Sequence, residues 1–299
     1  MKTFSVAVVL GGLLVAAPAW AGDPKFEYGK SDELKDVKGV EWSAAAEFGL
    51  VFTTGNSETT TITGGAKAAR KEGDNKLSGE VSGAFAQTGV RQLVDLNGNG
   101  LIDNEGEIGT VTTTSSESLA GKLRYDRFLT TNNSLFLAAL AATDEPAGKE
   151  LVLGGQFGYS RQIYKTDNHE LVGEAGLDFS REKLISGDPL SILSARAFAG
   201  YKGALGPTTN LDGSVEALFN LNRLDTPTGE ADPVEDSRVN GKLGVTSKIS
   251  ESLSISTSIE VKYDHKPAPL KIDKLAPGYV PESAAWDTIM KASLIYSFF

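Results

Sequence analysis

The residues best placed to do chemistry in this chain form one run, Asp95-Leu96-Asn97-Gly98-Asn99-Gly100-Leu101-Ile102-Asp103. Oxygen-bearing side chains at Asp95, Asn97, Asn99 and Asp103, the backbone carbonyl of Leu101 and a glycine for the sharp bend at Gly100 follow the spacing of an EF-hand-type calcium loop. The twelfth position, where a bidentate acid normally closes such a loop, is Gly106, so Glu105 or Glu107 would have to stand in. A calcium ion held there would order the loop rather than catalyse. The same residues also make an ordinary Asn/Gly-rich surface turn that binds nothing, and the spacing does not choose between the two.

Other candidates for chemistry are sparser. The two histidines, His169 and His265, lack the partners of a lipid-hydrolysing site, because His265 is followed by Lys266, Pro267 and Ala268 rather than by a serine in phase. With no cysteine in the chain, thiolate metal sites and disulfides are excluded. Carboxylates such as Glu47 and Glu80 read as partners for neighbouring Lys and Arg rather than as an acid–base pair. The stretch 225–236 carries Asp225, Glu230, Asp232, Glu235 and Asp236 with no base, which fits a solvated loop or one bridged by cations to anionic lipopolysaccharide. Lys266, Lys271 and Lys274 could touch its phosphates directly. The expectation is a protein without a catalytic site.

The elements that must position these residues begin after the first 21. Lys2, the apolar run 4–17 and Ala19-Trp20-Ala21 have the three parts of a cleaved secretory signal. That run is shorter than the ~18–20 residues a spanning helix needs. Loss of Lys2 moves the net charge from −10 to −11, which argues against nucleic acid as a partner. Residues 22–41 are polar and without period, and read as a periplasmic tail or a short plug.

From Trp42 onward the chain alternates. In 253–264, Leu253, Ile255, Thr257, Ile259, Val261 and Tyr263 share one phase and Ser254, Ser256, Ser258, Glu260, Lys262 and Asp264 the other, so a strand here has one apolar and one ionic face. The same pattern recurs over 42–53, 58–71, 76–88, 112–129, 134–142, 150–164, 170–182, 190–202, 211–224, 237–249 and 285–299. These twelve segments are joined alternately by short turns and by a set that contains the long loops, as in a transmembrane antiparallel up-and-down β-barrel whose ends both lie in the periplasm. Aromatic residues of the apolar phase fall at strand ends, with Phe52, Phe85, Phe179, Phe219, Tyr263 and Trp286 at one rim. Trp42, Tyr125, Tyr159, Tyr201, Tyr296 and Phe298 fall at the other, a girdle at each interface. The same phase carries Arg70, Arg127, Arg161, Arg181 and Arg223 only near strand ends. The opposite phase carries Glu47, Lys67, Glu80, Lys122, Arg124, Glu174, Asp178, Arg196, Lys202, Glu216, Lys242, Glu260, Lys262 and Lys291, which should line the lumen. Two segments fit less well: 134–142 is apolar in both phases, and 58–71 has no large outward residues.

Several short motifs in this order resemble the domain-of-unknown-function family of salt-induced outer membrane proteins. They are Trp42 leading to Thr54-Gly55-Asn56-Ser57, Leu123-Arg124-Tyr125-Asp126, Gly154 to Gly158-Tyr159, Glu174-Ala175-Gly176-Leu177, and Asp287-Thr288 before Tyr296-Ser297-Phe298. The resemblance covers 42–299 and implies an outer-membrane barrel and a stress association, with no catalytic residues. The loop 89–111 and the doubled terminal Phe depart from the family pattern. The terminal aromatic strand is of the kind read by barrel-assembly machinery. The expected protein is therefore a monomer in the Gram-negative outer membrane. It is either a narrow channel for small solutes or ions, or a structural envelope barrel whose lumen is closed by ion pairs; twelve strands lie between the filled and the open cases.

Overall fold

The computed structural model describes residues 39–53, 57–93, 108–144, 148–185, 188–226, 229–267 and 284–298. The proposed signal and almost all of the tail lie outside them, as does the 95–105 loop.

Every regular element among the described residues is a strand: β1 Val40–Thr53, β2 Ser57–Glu72, β3 Asn75–Leu93, β4 Ile108–Thr130, β5 Asn133–Asp144, β6 Lys149–Lys165 and β7 His169–Leu184 in the first part. β8 Leu190–Ala204, β9 Thr209–Asn220, β10 Leu224–Thr226, β11 Gly229–Ala231, β12 Ser237–Lys248, β13 Leu253–Asp264 and β14 Trp286–Ser297 follow. Twelve of them close into one antiparallel barrel in the order β1-β14-β13-β12-β9-β8-β7-β6-β5-β4-β3-β2, and β10 and β11 form a separate hairpin. Closure pairs Phe48 with Leu294 and Ala45 with Ser297, so no free edge is left at that level.

The five connections 73–74, 131–132, 166–168, 205–208 and 249–252 join strands at one rim; those at the other rim include all the long ones and also the short 54–56 and 145–148. The first of the two two-residue turns is built from Gly73 and Asp74 between Glu72 and Asn75, and Gly73 takes φ 53°, the conformation a two-residue hairpin asks of its first residue.

One face of the barrel is apolar and exposed. Leu123, Leu137, Phe157, Leu177 and Phe179 stand out from it, and Trp42, Tyr125 and Tyr296 lie toward the short-turn rim. Trp286 lies at the opposite rim, its ring 4.8 Å from that of Tyr263. The other face holds buried charges whose partners sit on strands that are not neighbours: Arg124 of β4 bonds Glu174 of β7. Only the inside of a closed barrel lets such strands meet, so the ionic face is the lumen. The usual burial is thereby inverted, and the interior is held by polar and ionic contacts.

One segment departs from the sequence expectation. The strand read as 211–224 ends at Asn220, and the chain then turns into the β10–β11 hairpin. The side chains of Asn220 and Asn222 take over the backbone bonds at this point: the Leu193 amide donates to Asn222 Oδ1 at 2.8 Å, and Asn222 Nδ2 donates to the Ser191 carbonyl at 2.9 Å. Asn side chains that compete for backbone partners in this way stop a strand. Arg223 accordingly lies beyond the strand rather than on its outer face.

Candidate functional site

The lumen divides into two unlike halves. Along β4 to β9 it is packed solid around Arg124. This guanidinium, 2 % exposed, donates from Nη2 to Asp126 Oδ1 and to Glu174 Oε1, each at 2.7 Å. Glu174 also accepts from Arg196 Nη1 at 2.8 Å, and Arg196 Nε reaches Glu216 Oε1 at 2.5 Å. Next to this chain, on the side of the long-connection rim, Lys122 Nζ donates to Gln156 Oε1 at 2.9 Å, and Gln156 Nε2 donates to Asp178 Oδ2 at 2.8 Å.

Phe136 fills the space between the two guanidiniums, its ring centre 4.2 Å from Arg124 Cζ and 5.5 Å from Arg196 Cζ. The cations lie within reach of the ring's negative face. This explains why the segment at β5 is apolar in both phases: its inward residues Phe136 and Ala138 are the apolar floor on which the ions pack. Gly158 makes room for the ring, since a Cβ there would lie 2.7 Å from Phe136 Cζ and 2.6 Å from the Ala175 carbonyl.

Along β12, β13, β14, β1 and β2 the inner face is small, hydroxylated and wetter. Ser254, Ser256 and Ser258 follow one another on β13, and Thr246 of β12 donates to Ser256 at 3.1 Å. The charges here are looser. Lys242 and Asp212 are 3.6 Å apart with side chains 24 % and 37 % exposed. Lys291 lies 3.6 Å from Glu260, and Glu47, Glu80 and Lys262 are half-buried while Lys67 is exposed. Glu47 and Glu80 sit on different strands with β2 between them, so the structure does not make them an adjacent pair.

A third cluster lies at the long-connection rim. Arg238 of β12 donates to Glu182 of β7 at 2.5 Å and to Asp236 at 3.2 Å, and its Nε lies 3.5 Å from Asp264 of β13. Lys149 of β6 meets Glu182 from the other side at 3.4 Å. β8 and β9 separate β7 from β12 in the wall, roughly 14 Å of sheet at about 4.8 Å per spacing, so the Arg238–Glu182 pair is a chord across the inside. Burial pushes the Asp236 carboxyl up from the ordinary carboxylate range; Arg238 opposes this, and Asp264 and Glu182 add to it.

Sequence reasoning missed Asp126, Gln156, Glu182, Asp236, Arg238 and Phe136 as lumen residues. Asp126, Glu182 and Arg238 share a phase with Arg124, Asp178 and Lys242, so their face was readable; their partners were not. Asp225, Glu230, Asp232 and Glu235 are exposed, as a solvated loop requires, but Arg223 pairs with Asp232 at 2.7 Å and Asp236 is buried.

The calcium-loop candidates Asp95, Asn97, Asn99, Leu101, Asp103 and Glu105 lie outside the described residues. Among the described residues no group of three or more acids or histidines is set to hold a metal ion. His169 Nδ1 lies 2.8 Å from the Tyr201 hydroxyl and His265 Nδ1 2.7 Å from that of Tyr263, at opposite rims.

The family described as Protein of unknown function, DUF481, matches residues 46–298. No curated protein matches the chain. Among solved structures, the NanC porin aligns at TM-score 0.43 and 8% identity, over 85% of this chain and 98% of that one. The translocator domain of the autotransporter NalP from Neisseria meningitidis aligns at 0.39 and 14%, over 90% and 92%. The outer membrane channel DcaP of Acinetobacter baumannii aligns at 0.36 and 10%, over 87% and 97%. The fold rests on the chain's own strand pairings rather than on these likenesses.

Proposed function

This chain belongs to the family of proteins of unknown function DUF481, and on that premise we propose that it is an outer-membrane barrel with a narrow, off-centre passage for small polar solutes or ions. The exposed apolar belt, the aromatic residues at both rims and the ionic interior support a bilayer around the barrel. The observation that carries the passage is the gradient of water access across the lumen. Glu174 and Arg196 have fully buried side chains on one wall, while Lys242 of β12 keeps 24 % of its side-chain surface on the other. Water reaches the serine-lined half and is kept out of the ion-packed half.

A structural barrel with a closed lumen is the second reading, favoured by the Arg124–Glu174–Arg196 chain. A hydrolase fits less well, because each histidine is engaged by a tyrosine rather than by a serine and an acid.

Planar-bilayer recordings separate the two barrel readings. The channel reading expects steady current, and a severalfold loss of conductance in Ser258→Trp, whose indole would enter the wet half. Leu243→Trp, on the outer face, should leave the current unchanged. Silence from a folded, inserted protein would overturn the channel and favour the closed barrel.

A further inference from the structure

At the long-connection rim the inner face of β7 and β8 changes from charged to apolar. Leu184, Leu190 and Ile192 continue the phase of Glu182, Ser194 and Arg196, yet they lie above the ion-packed zone. The β10–β11 hairpin closes on them. Leu224 and Ala231 are cross-strand partners, both point down, and both are buried, with 3% and 0% of their surface exposed. The hairpin therefore sits inside the mouth, on the β7–β8 side.

Its hold on the barrel is concentrated at its base. Asn220, fully buried, donates from Nδ2 to the Asp232 carbonyl at 2.9 Å, and its Oδ1 accepts from the Asp236 amide at 2.9 Å. Val234, a β-branched residue, has φ 72° there, a strained backbone held by its amide's bond to the Asn220 carbonyl at 2.8 Å. The base ends on Asp236, whose Oδ2 receives Arg238 and whose Oδ1 receives no hydrogen bond from a described residue.

We propose that the β10–β11 hairpin is a proton-sensitive flap over the mouth of the lumen, with Asp236 as the group that senses the proton. The deepening rests on the channel reading above. Charged groups face Asp236 from every element packed around it: Arg238 on β12, Glu182 on β7, Asp264 on β13 and, through Glu182, Lys149 on β6. With all of them ionised, three carboxylates share two cations, and the buried unbonded oxygen of Asp236 carries the misfit.

Docking raises the Asp236 pKa above that of a solvated carboxyl, so the docked hairpin favours the neutral acid. Docking is then strongest below the ordinary carboxylate range and weakens as pH rises through the raised value. Acid closes the flap; neutral pH loosens it.

The chain has no cysteine, so one introduced thiol reports one position. Maleimide labelling of Ala231→Cys, normalised to labelling of the exposed Glu230→Cys in the folded protein, should rise from acid to neutral pH. The rise should vanish in Ala231→Cys/Asp236→Asn. Current through the wild type should fall in acid, and Ala231→Arg, which places a permanent charge in the apolar dock, should hold it at the neutral level. A flat labelling ratio in the wild-type background, or a rise that persists without Asp236, would overturn the flap and leave the channel standing. A labelling shift with no current in any variant would support the flap and overturn the channel.

Discussion

Glu174 is shared by two guanidiniums in a place water does not reach, and its removal would leave Arg124 and Arg196 facing one another across Phe136. Breaking a buried ionic group by removing one member costs about 3–5 kcal/mol. Glu174→Gln should therefore lower the unfolding free energy of the refolded barrel, read from urea titration, by an amount in that range. Glu150→Gln, which breaks an exposed pair with Lys183, should cost less than about 1 kcal/mol. Equal effects would show that the lumen charges are solvated. How much of this was legible follows from the physics of a strand. Alternation states which face a residue takes, so Arg124, Glu174 and Arg196 were assignable to the inside from sequence. It does not state which strands confront each other across a closed barrel, so the sharing of one carboxylate was not readable. Phe136 was obscured for a related reason: an apolar residue on the ionic phase looks like a fault in the pattern until the cations that pack on it are seen.

At the scale of the strand, the outer phase makes the sharper demand. Leu177 lies midway along β7, exposed, while Arg161 and Arg181 of the same face lie near strand ends. An Arg facing lipid costs about 2–4 kcal/mol at mid-depth and only about 0–1 near an interface. Leu177→Arg should destabilise the lipid-embedded barrel by about 2–4 kcal/mol in reversible unfolding, whereas Ser191→Arg, at the rim, should cost about 0–1. A Leu177→Arg protein as stable as the parent would mean that this face is not in hydrocarbon. The twelve staves were readable because each carries the same two-residue period between turns. The β10–β11 hairpin was not, since alternation runs on past Asn220 through Leu224 and nothing in the period marks the break. The signal that was there is chemical: Asn220 and Asn222 lie two apart and can bond backbone in place of a neighbouring strand.

The whole molecule is a cylinder with its ions inside and its apolar side chains outside, and one wall of its interior is dry. The order of the strands, their closure and the two rims follow from the pairings of this chain alone. The same arrangement explains how a strongly acidic chain with ordinary overall hydropathy can suit a bilayer, since half of every strand never meets lipid. Two tryptophans mark its rims, Trp42 beside the short turns and Trp286 beside the long connections, both on the outer face. With Trp20 replaced by Phe, the single-tryptophan proteins Trp42→Phe and Trp286→Phe report one rim each. Reconstituted in vesicles of brominated lipid, both should be quenched most strongly by bromines near the headgroups and weakly by bromines at the bilayer centre. Fluorescence untouched by bromine at any depth, from a folded protein, would mean that no membrane surrounds the barrel.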